Sequence, residues 1–363
     1  MRSRFLIGLI AFLFAACTTA LDMPGALASR GWDALDLHQF EAAIADFSAA
    51  VAVDPEDASA WAGRGRAHLK MDNNVAAIED LTRALALSPL RSGAYLDRGV
   101  AYYRLEQYDL ALADLMRGLR GDARSVRGHF DRGLVYLKTR QYDLAIADFN
   151  RALALDPSYS SALVQRAAVY AAQGRDTLAL ADLDQALTIA PSDPDVYAAR
   201  AKTLYRLQRY AEALSDFNQA IALQAGDAGA HYGRALTHIR LSDPDRALPD
   251  LDEAIRLDPA LAPAWRARGH IYYARADFAR ALADFDRALE INSRDQNARY
   301  WFGLAGYHLG QYAAAAADLK LVADSSSAHA RSARYYLGLA EYHLQDYEQA
   351  AADIASALQS VTP

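Results

Sequence analysis

One alanine position constrains this chain more than any other. Alanine stands at 43, 77, 111, 145, 179, 213, 247, 281 and 315, always 34 residues apart, and a tenth, Ala350, follows after 35. A fixed period of this length marks an array of like supersecondary units and has to be read before any division into domains. By length alone, 363 residues suggest two or three ordinary domains. The period replaces them with ten units: 24–57, 58–91, 92–125, 126–159, 160–193, 194–227, 228–261, 262–295, 296–330 and 331–363. With Pro24 as slot 1, slot 8 is Gly or Ala throughout, from Gly31 through Ala167 to Gly338. Slot 24 is Phe, Leu or Ile, as in Phe47, Leu81, Phe149 and Ile354. Slot 32 is proline in five units: Pro55, Pro89, Pro157, Pro191 and Pro259.

Slots 4, 8 and 11 are spaced four and three apart, and so are slots 20, 24 and 27. Each set falls on one face of a helix. The unit therefore reads as two amphipathic helices, A and B, joined by a short turn. Small residues at slots 8 and 20 let the two backbones approach, and larger ones would force them apart. A single pair cannot bury its own apolar face, so the pairs stack. Hydrophobic residues make up 53% of the chain, which supplies a core and excludes wholesale disorder. Alanine, leucine and arginine are strong helix formers. The fold class is all-α, an α-solenoid. An Asp-Pro or Ser-Pro step ends helix B in several units, because the residue before proline is pushed out of the helical region. Unit 7 carries Pro244 and Pro249. The first suits a helix N-terminus; the second predicts a kink or a delayed start of helix B.

Two charged slots are unusually regular. Slot 7 is arginine in the first eight units: Arg30, Arg64, Arg98, Arg132, Arg166, Arg200, Arg234 and Arg268. Slot 23 is aspartate in all ten, among them Asp80, Asp114 and Asp148. A guanidinium suits bidentate pairing with a carboxylate. The pattern predicts structural ion pairs repeated up the stack (Arg64 with Asp80, Arg98 with Asp114, Arg132 with Asp148) in preference to a ligand-binding ladder. Units 9 and 10 have Phe302 and Leu337 at slot 7 and place Arg299 and Arg334 at slot 4. His129 and His231, also at slot 4, read as packing groups where other units have aromatic rings.

Trp61, Gly65, Ala77, Ala84 and Pro89 in unit 2, and Trp265, Gly269, Tyr272, Ala281, Phe285 and Ala288 in unit 8, give the spacing a familiar form. The frame resembles the tetratricopeptide repeat (TPR) over residues 24–363. The resemblance implies a right-handed superhelix of ten helix-turn-helix units. It also implies a concave groove lined by helix A, chiefly slots 2, 5, 9, 12 and 13, that captures a peptide or helical segment of another protein. Here those slots include Lys70, Tyr103, Arg104, Phe130, Lys138, Tyr205, Arg206, Tyr232, Arg240 and Tyr273. The face is aromatic and basic on an otherwise acidic chain, which favours a partner with an acidic segment. A plainer reading stays beside it, in which slot 12 packs and slot 13 is solvated. The carboxylate clamp of chaperone-binding TPRs is not matched: Ala28, Ser29 and Trp32, then Ala62, Gly63 and Arg66, occupy its slots.

Arg2 and Arg4 precede an apolar run from Phe5 to Ala16. A helix needs about 20 residues to span a bilayer core, and this run is shorter. A basic start, a short apolar core and small residues read as a signal peptide over 1–16, followed by a tether at 17–23. The single cysteine, Cys17, follows Leu13-Phe14-Ala15-Ala16. This resembles the lipobox of bacterial lipoproteins, with Phe14 where that family usually carries an aliphatic residue. The resemblance implies a lipid on Cys17 and a membrane anchor on the periplasmic side of the outer membrane. An ordinary signal peptide cut near Ala20 is the alternative and leaves a soluble periplasmic or secreted chain. Loss of Arg2 and Arg4 takes the net charge from −7 to −9.

No P-loop, G-x-G-x-x-G, H-E-x-x-H, G-x-S-x-G or EF-hand pattern is present. One cysteine excludes a disulfide framework and cysteine-based metal centres. The histidines are scattered, so neither a metal nor another cofactor is expected, nor enzymatic activity. The acidic balance argues against nucleic acid as a partner. The reading is a non-catalytic protein–protein interaction scaffold of the bacterial cell envelope, resembling outer-membrane TPR lipoproteins. Two others stay open: a peptidoglycan-binding or hydrolase-regulating envelope subunit, whose tyrosines stack on sugars, and a structural homo-oligomer joined through its C-terminal repeats.

Overall fold

The structure, a computed structural model, describes residues 24–359. The signal peptide, the tether and Cys17 lie outside the described residues. These form twenty α-helices and no strand. In chain order they are α1 Pro24–Asp36, α2 Phe40–Val53, α3 Ala58–Lys70, α4 Asn74–Leu87, α5 Ser92–Arg104, α6 Tyr108–Gly121, α7 Val126–Lys138, α8 Tyr142–Leu155, α9 Ser160–Ala172 and α10 Asp176–Ile189, then α11 Pro194–Arg206, α12 Tyr210–Leu223, α13 Ala228–Arg240, α14 Pro244–Leu257, α15 Ala262–Ala274, α16 Phe278–Ile291, α17 Gln296–His308, α18 Tyr312–Ala323, α19 Ala330–His343 and α20 Tyr347–Gln359. Odd numbers are the A helices and even numbers the B helices. The chain divides into two compact units, one ending at Gln185 and the other beginning at Ala186.

Within each unit the core follows the frame. The slot 20 alanines and the slot 24 rings and leucines are buried, with Phe47, Phe149, Phe217 and Phe285 the largest fully enclosed side chains. The slot 24 side chain fills the space that a slot 8 Cβ would need. A methyl on Gly133 would stand 2.7 Å from Phe149 Cε1. Slot 6 does the same in places, since a methyl on Gly233 would stand 2.3 Å from Phe217 Cζ.

Backbone hydrogen bonds fix the turns. After each A helix, slot 15 takes a left-handed conformation. It is glycine only at Gly174 and Gly310, and elsewhere His38, Asp72, Glu106, Arg140, Gln208, Ser242, Ala276 and Gln345 accept it. The following N–H then bonds back to a carbonyl in the last turn, as in Gln141 to Tyr136 (2.8 Å) and Asp277 to Tyr272 (2.9 Å). This is the Schellman closure, whose main-chain bonds outweigh the steric cost of a side chain at positive φ. At the other turn, Asp54, Asp156 and Asp258 before proline end their helices in extended conformations. The delayed start predicted for repeat 7 does not occur. Helix α14 begins at Pro244 and runs through Pro249, because Asp243 Oδ1 accepts the Arg246 N–H at 3.2 Å and anchors the first turn.

The slot 7 arginines reach slot 23 of their own repeat. Arg64 places Nε and Nη2 at 2.7 and 2.8 Å from the two Asp80 oxygens, Arg98 at 2.6 and 3.0 Å from Asp114, and Arg132 at 2.7 Å twice from Asp148. Arg166, Arg200, Arg234 and Arg268 do the same with Asp182, Asp216, Asp250 and Asp284. The third nitrogen often reaches the preceding repeat, as from Arg98 to Thr82 (2.9 Å) and from Arg234 to Asn218 (2.8 Å). The bond to Asp148 raises the Arg132 pKa above its ordinary value.

Slot 4 completes the arrangement. Its polar tip meets the carbonyl six residues earlier: Trp61 at Pro55, His129 at Ala123, His231 at Ala225, Trp265 at Pro259 and Arg299 at Ser293. The two histidines are therefore more than packing groups, for their Nδ1 atoms also lie 3.3 and 3.4 Å from Asp148 and Asp250. In repeat 9, Arg299 takes over the aspartate from slot 4, with Nη1 2.8 Å from Asp318. In repeat 10 Arg334 turns to Asp324 and the Ala323 carbonyl. The buried Asp353 meets Gln349 and Glu341 instead, and burial together with Asp353 pushes the Glu341 carboxyl up to about 7.

Candidate functional site

Slots 2, 5, 6, 9, 12 and 13 lie on the side of helix A away from the arginine–aspartate ladder. The two units use this face differently. In the unit ending at Gln185 it is charged. Arg66 Nε donates to Asp97 Oδ2 at 2.7 Å, and Arg127 Nη1 stands 2.9 Å from Asp97 Oδ1. Arg127 Nε also lies 3.3 Å from Asp131 Oδ2. Asp97 is buried, and burial pushes the Asp131 carboxyl up to about 6 against the pull of Arg127. These slot 6 carboxylates break the purely basic face that the sequence suggests. Their signal was available, for only repeats 3 and 4 have an acid at slot 6.

The expected groove residues separate into two kinds. Arg104 is engaged, with Nη1 2.7 Å from the Leu69 carbonyl and 2.5 Å from Asp72. Phe130 packs edge-on against Tyr159 at 5.0 Å, and Tyr103 meets Tyr108 at 6.1 Å. Lys70 and Lys138 are exposed and make no ion pair among the described residues. Lys202, at slot 9 of repeat 6, is exposed as well.

In the unit beginning at Ala186 the face is aromatic. Arg240 Nε donates to the Tyr205 hydroxyl at 3.0 Å, and Arg206 Nη2 lies 3.4 Å from Thr203 Oγ1. Tyr232 is half-buried, and burial raises its hydroxyl pKa. Tyr273 packs edge-on against Trp301 at 4.9 Å, and burial pushes its hydroxyl up to about 12. His270 stands 4.9 Å from the same indole and 3.3 Å from Asn297 Oδ1, and burial pulls it down to about 4, so the ring is neutral near pH 7. Asn297 in turn lies 2.9 Å from His329, which stacks on Tyr300 at 4.4 Å.

A hollow of about 540 Å³ opens here, lined by Tyr205, Leu236, Ile239, Arg240, Pro244, Ala267, His270, Ile271, Ala274 and Arg275. A second, of about 340 Å³, shares Leu236, Ala267 and His270 and adds Tyr232, Pro263, Arg266 and Asn297. The larger volume is in the range of ligand-binding clefts. Among the described residues, no three His, Cys, Asp or Glu side chains converge as metal ligands, and no helix is long and apolar enough to cross a membrane.

Family models described as tetratricopeptide repeat match residues 29–80, 64–125, 130–194, 198–262 and 262–295. Curated protein sequences gave no match. Among solved structures, a tetratricopeptide repeat protein from Parabacteroides merdae is 21% identical, covers 68% of this chain and 98% of its own, and superposes with a TM-score of 0.55. The C-terminal part of a TPR repeat-containing protein from Cytophaga hutchinsonii is 22% identical over 64% of this chain and 96% of its own, with a TM-score of 0.49. YrrB, described as a TPR protein with an unusual peptide-binding site, is 23% identical over 53% of this chain and 98% of its own, with a TM-score of 0.44.

Proposed function

The chain belongs to the tetratricopeptide repeat family, and from that premise we propose that it is a non-catalytic interaction scaffold that holds a peptide or helical segment of a partner on the slot 2–13 face of its A helices. One observation carries the reading. The ladder repeats nearly unchanged through the first eight repeats, whereas this face changes character and keeps exposed lysines and an open hollow. Side chains that only held the stack together would repeat with it. Lys70, Lys138 and Lys202 give the face its free positive charge and favour a partner with an acidic segment.

Lys70, Lys138 and Lys202 changed together to Glu test this better than a variant that includes Arg104, whose loss would also break its bonds to Leu69 and Asp72. The triple variant keeps its helical content by circular dichroism and loses its crosslinked partner in native envelopes. An undiminished crosslink places binding elsewhere. The apolar run before Cys17 supports an exported chain anchored by lipid on the periplasmic side of the outer membrane. Labelled fatty acid incorporated into the full chain and absent from Cys17→Ala is the expected result, and equal labelling contradicts it.

A second reading is favoured by Tyr335, Tyr342 and Tyr347, which are 38, 57 and 58% exposed. Exposed rings of this kind stack on sugars, and co-sedimentation with purified sacculi that is lost in Tyr342→Ala supports a peptidoglycan-binding subunit. Light scattering tests a homo-oligomer joined at the same end.

A further inference from the structure

Repeats 6, 8, 9 and 10 fill one position in the same way. A tyrosine at slot 12 meets a ring at slot 17 edge-on: Tyr205 with Tyr210 at 5.5 Å, Tyr273 with Phe278 at 5.3 Å, Tyr307 with Tyr312 at 5.6 Å and Tyr342 with Tyr347 at 5.3 Å. Slot 13 of the next repeat then lays a planar group over the pair. Arg240 lies over Tyr205 at 5.9 Å, His308 stacks on Phe278 at 4.5 Å, and His343 stacks on Tyr312 at 4.2 Å.

Repeat 7 is different. Its slots 12 and 17 are Ile239 and Pro244, and slot 13 of repeat 8 is Ala274. All three line the 540 Å³ hollow. The hollow is thus the place where a ring pair and its cover are missing from an otherwise regular series.

We propose that this hollow is a socket for one aromatic side chain of a bound polypeptide, with an acidic residue next to that side chain held by Arg240. The proposal rests on the scaffold reading above and specifies which residue of the partner enters. The neighbouring repeats show that aromatic rings fit this position when the chain supplies them. Leu236, Ile239, Ala267 and Ile271 give an apolar lining, and the neutral His270 adds a ring that already meets Trp301 in a T-shaped contact. Anchors in buried apolar pockets dominate interface energies, and aromatic residues are enriched among them. The charge argument rests on Arg240. Its Nε is spent on Tyr205, and it pairs with no carboxylate among the described residues, while no acid lines the hollow. Arg275 contributes less, because Asp245 already pairs with it.

The test uses the purified full chain and fluorescein-labelled pentapeptides in an anisotropy titration. Glu-Asp-Phe-Asp-Glu is compared with the same peptide carrying Leu or Ala at its centre, and with Lys-Lys-Phe-Lys-Lys. The Phe peptide is expected to bind about tenfold tighter than the Ala peptide, and the Leu peptide to fall between them. The basic peptide is not expected to bind. Ala274→His alone supplies the missing cover, and together with Pro244→Tyr it also supplies the slot 17 ring, both at exposed positions. Each is expected to abolish the Phe preference while the thermal midpoint is kept. Arg240→Gln is expected to reduce the advantage of acidic over basic flanks.

Equal binding of the Phe and Ala peptides overturns the socket and leaves a face that reads charge alone. A Phe preference that survives both filling variants overturns it too, as does no binding of the Phe peptide at millimolar concentration. In each case the crosslinking of the lysine variant still decides the scaffold reading separately.

Discussion

The unit ending at Gln185 and the unit beginning at Ala186 carry the same ladder and different outer faces on their A helices. Arg132 with Asp148 and Arg234 with Asp250 superpose in kind down to the histidine at slot 4. Slot 6 shows the contrast. It is Asp97 and Asp131 in one unit, and Ala267, Trp301 and Tyr336 in the other. The difference teaches which slots the stack itself constrains. In the first eight repeats the slot 23 aspartate is held by a guanidinium and, at Asp148 and Asp250, by an imidazole as well, so a change there leaves a charge unpaired. Slots 12 and 13 meet no such demand and are free to diverge, and slot 6 meets it only where it carries an acid, as at Asp97, which Arg66 and Arg127 hold.

The largest expected effect removes what the units share. Asp148→Ala leaves Arg132 facing a partly buried void and should cost about 3–5 kcal/mol, and Asp250→Ala should cost the same in the other unit. Thermal denaturation followed by circular dichroism reads both. An unchanged midpoint in either would show that the ladder is ornamental there. Next come the close approaches. Alanine in a helix is ordinarily better than glycine by about 1 kcal/mol, yet Gly133→Ala and Gly233→Ala should destabilise by about 1–3 kcal/mol because the phenyl rings must move. Gly233 should suffer more, since its added methyl would lie closer to Phe217 than that of Gly133 to Phe149.

Acid separates the units. The Asp131 pKa of about 6 lies above its ordinary 3.8, so its stabilising contribution is full below 3.8 and is lost as pH rises through 6. The His270 pKa of about 4 lies below its ordinary 6.5, so its contribution is full above 6.5 and is lost as pH falls through 4. Asp131→Asn should therefore stabilise the protein by about 1–3 kcal/mol near neutral pH and by much less near pH 4. His270→Gln should do the reverse, gaining relative to the parent chain as pH falls. Differences that run parallel for both variants would erase the contrast between the two faces. The smallest effect is again shared. Arg140→Gly and Ala276→Gly remove a Cβ from a left-handed turn and should each stabilise by about 0.5–1 kcal/mol, measured by urea unfolding.

The helix pairs and the ladder were legible because each rests on one residue type at one slot, repeated until chance is excluded. The left-handed turn was not. Arg140, Gln208 and Ala276 carry no local signal for positive φ, and the Schellman bonds that impose it are made by backbone. Nor was the slot 4 contact, because Trp61, His129 and Arg299 share only a polar tip of similar reach. The candidate face was half legible. Its aromatic and basic character could be read from slots 12 and 13, but Arg104 and Arg240 are drawn into bonds with the preceding repeat. The hollow comes from Ile239, Pro244 and Ala274, three unremarkable residues that meet only when the repeats stack.

The central claim is that the ladder side builds the molecule and the opposite side of helix A binds. Site-specific photocrosslinking in native cells tests it most directly, with p-benzoylphenylalanine at Lys138 and Leu236 on the candidate face and at the exposed Asp286 on the ladder side. Adducts from Lys138 or Leu236 and none from Asp286 are predicted. Adducts from Asp286 alone would contradict the account.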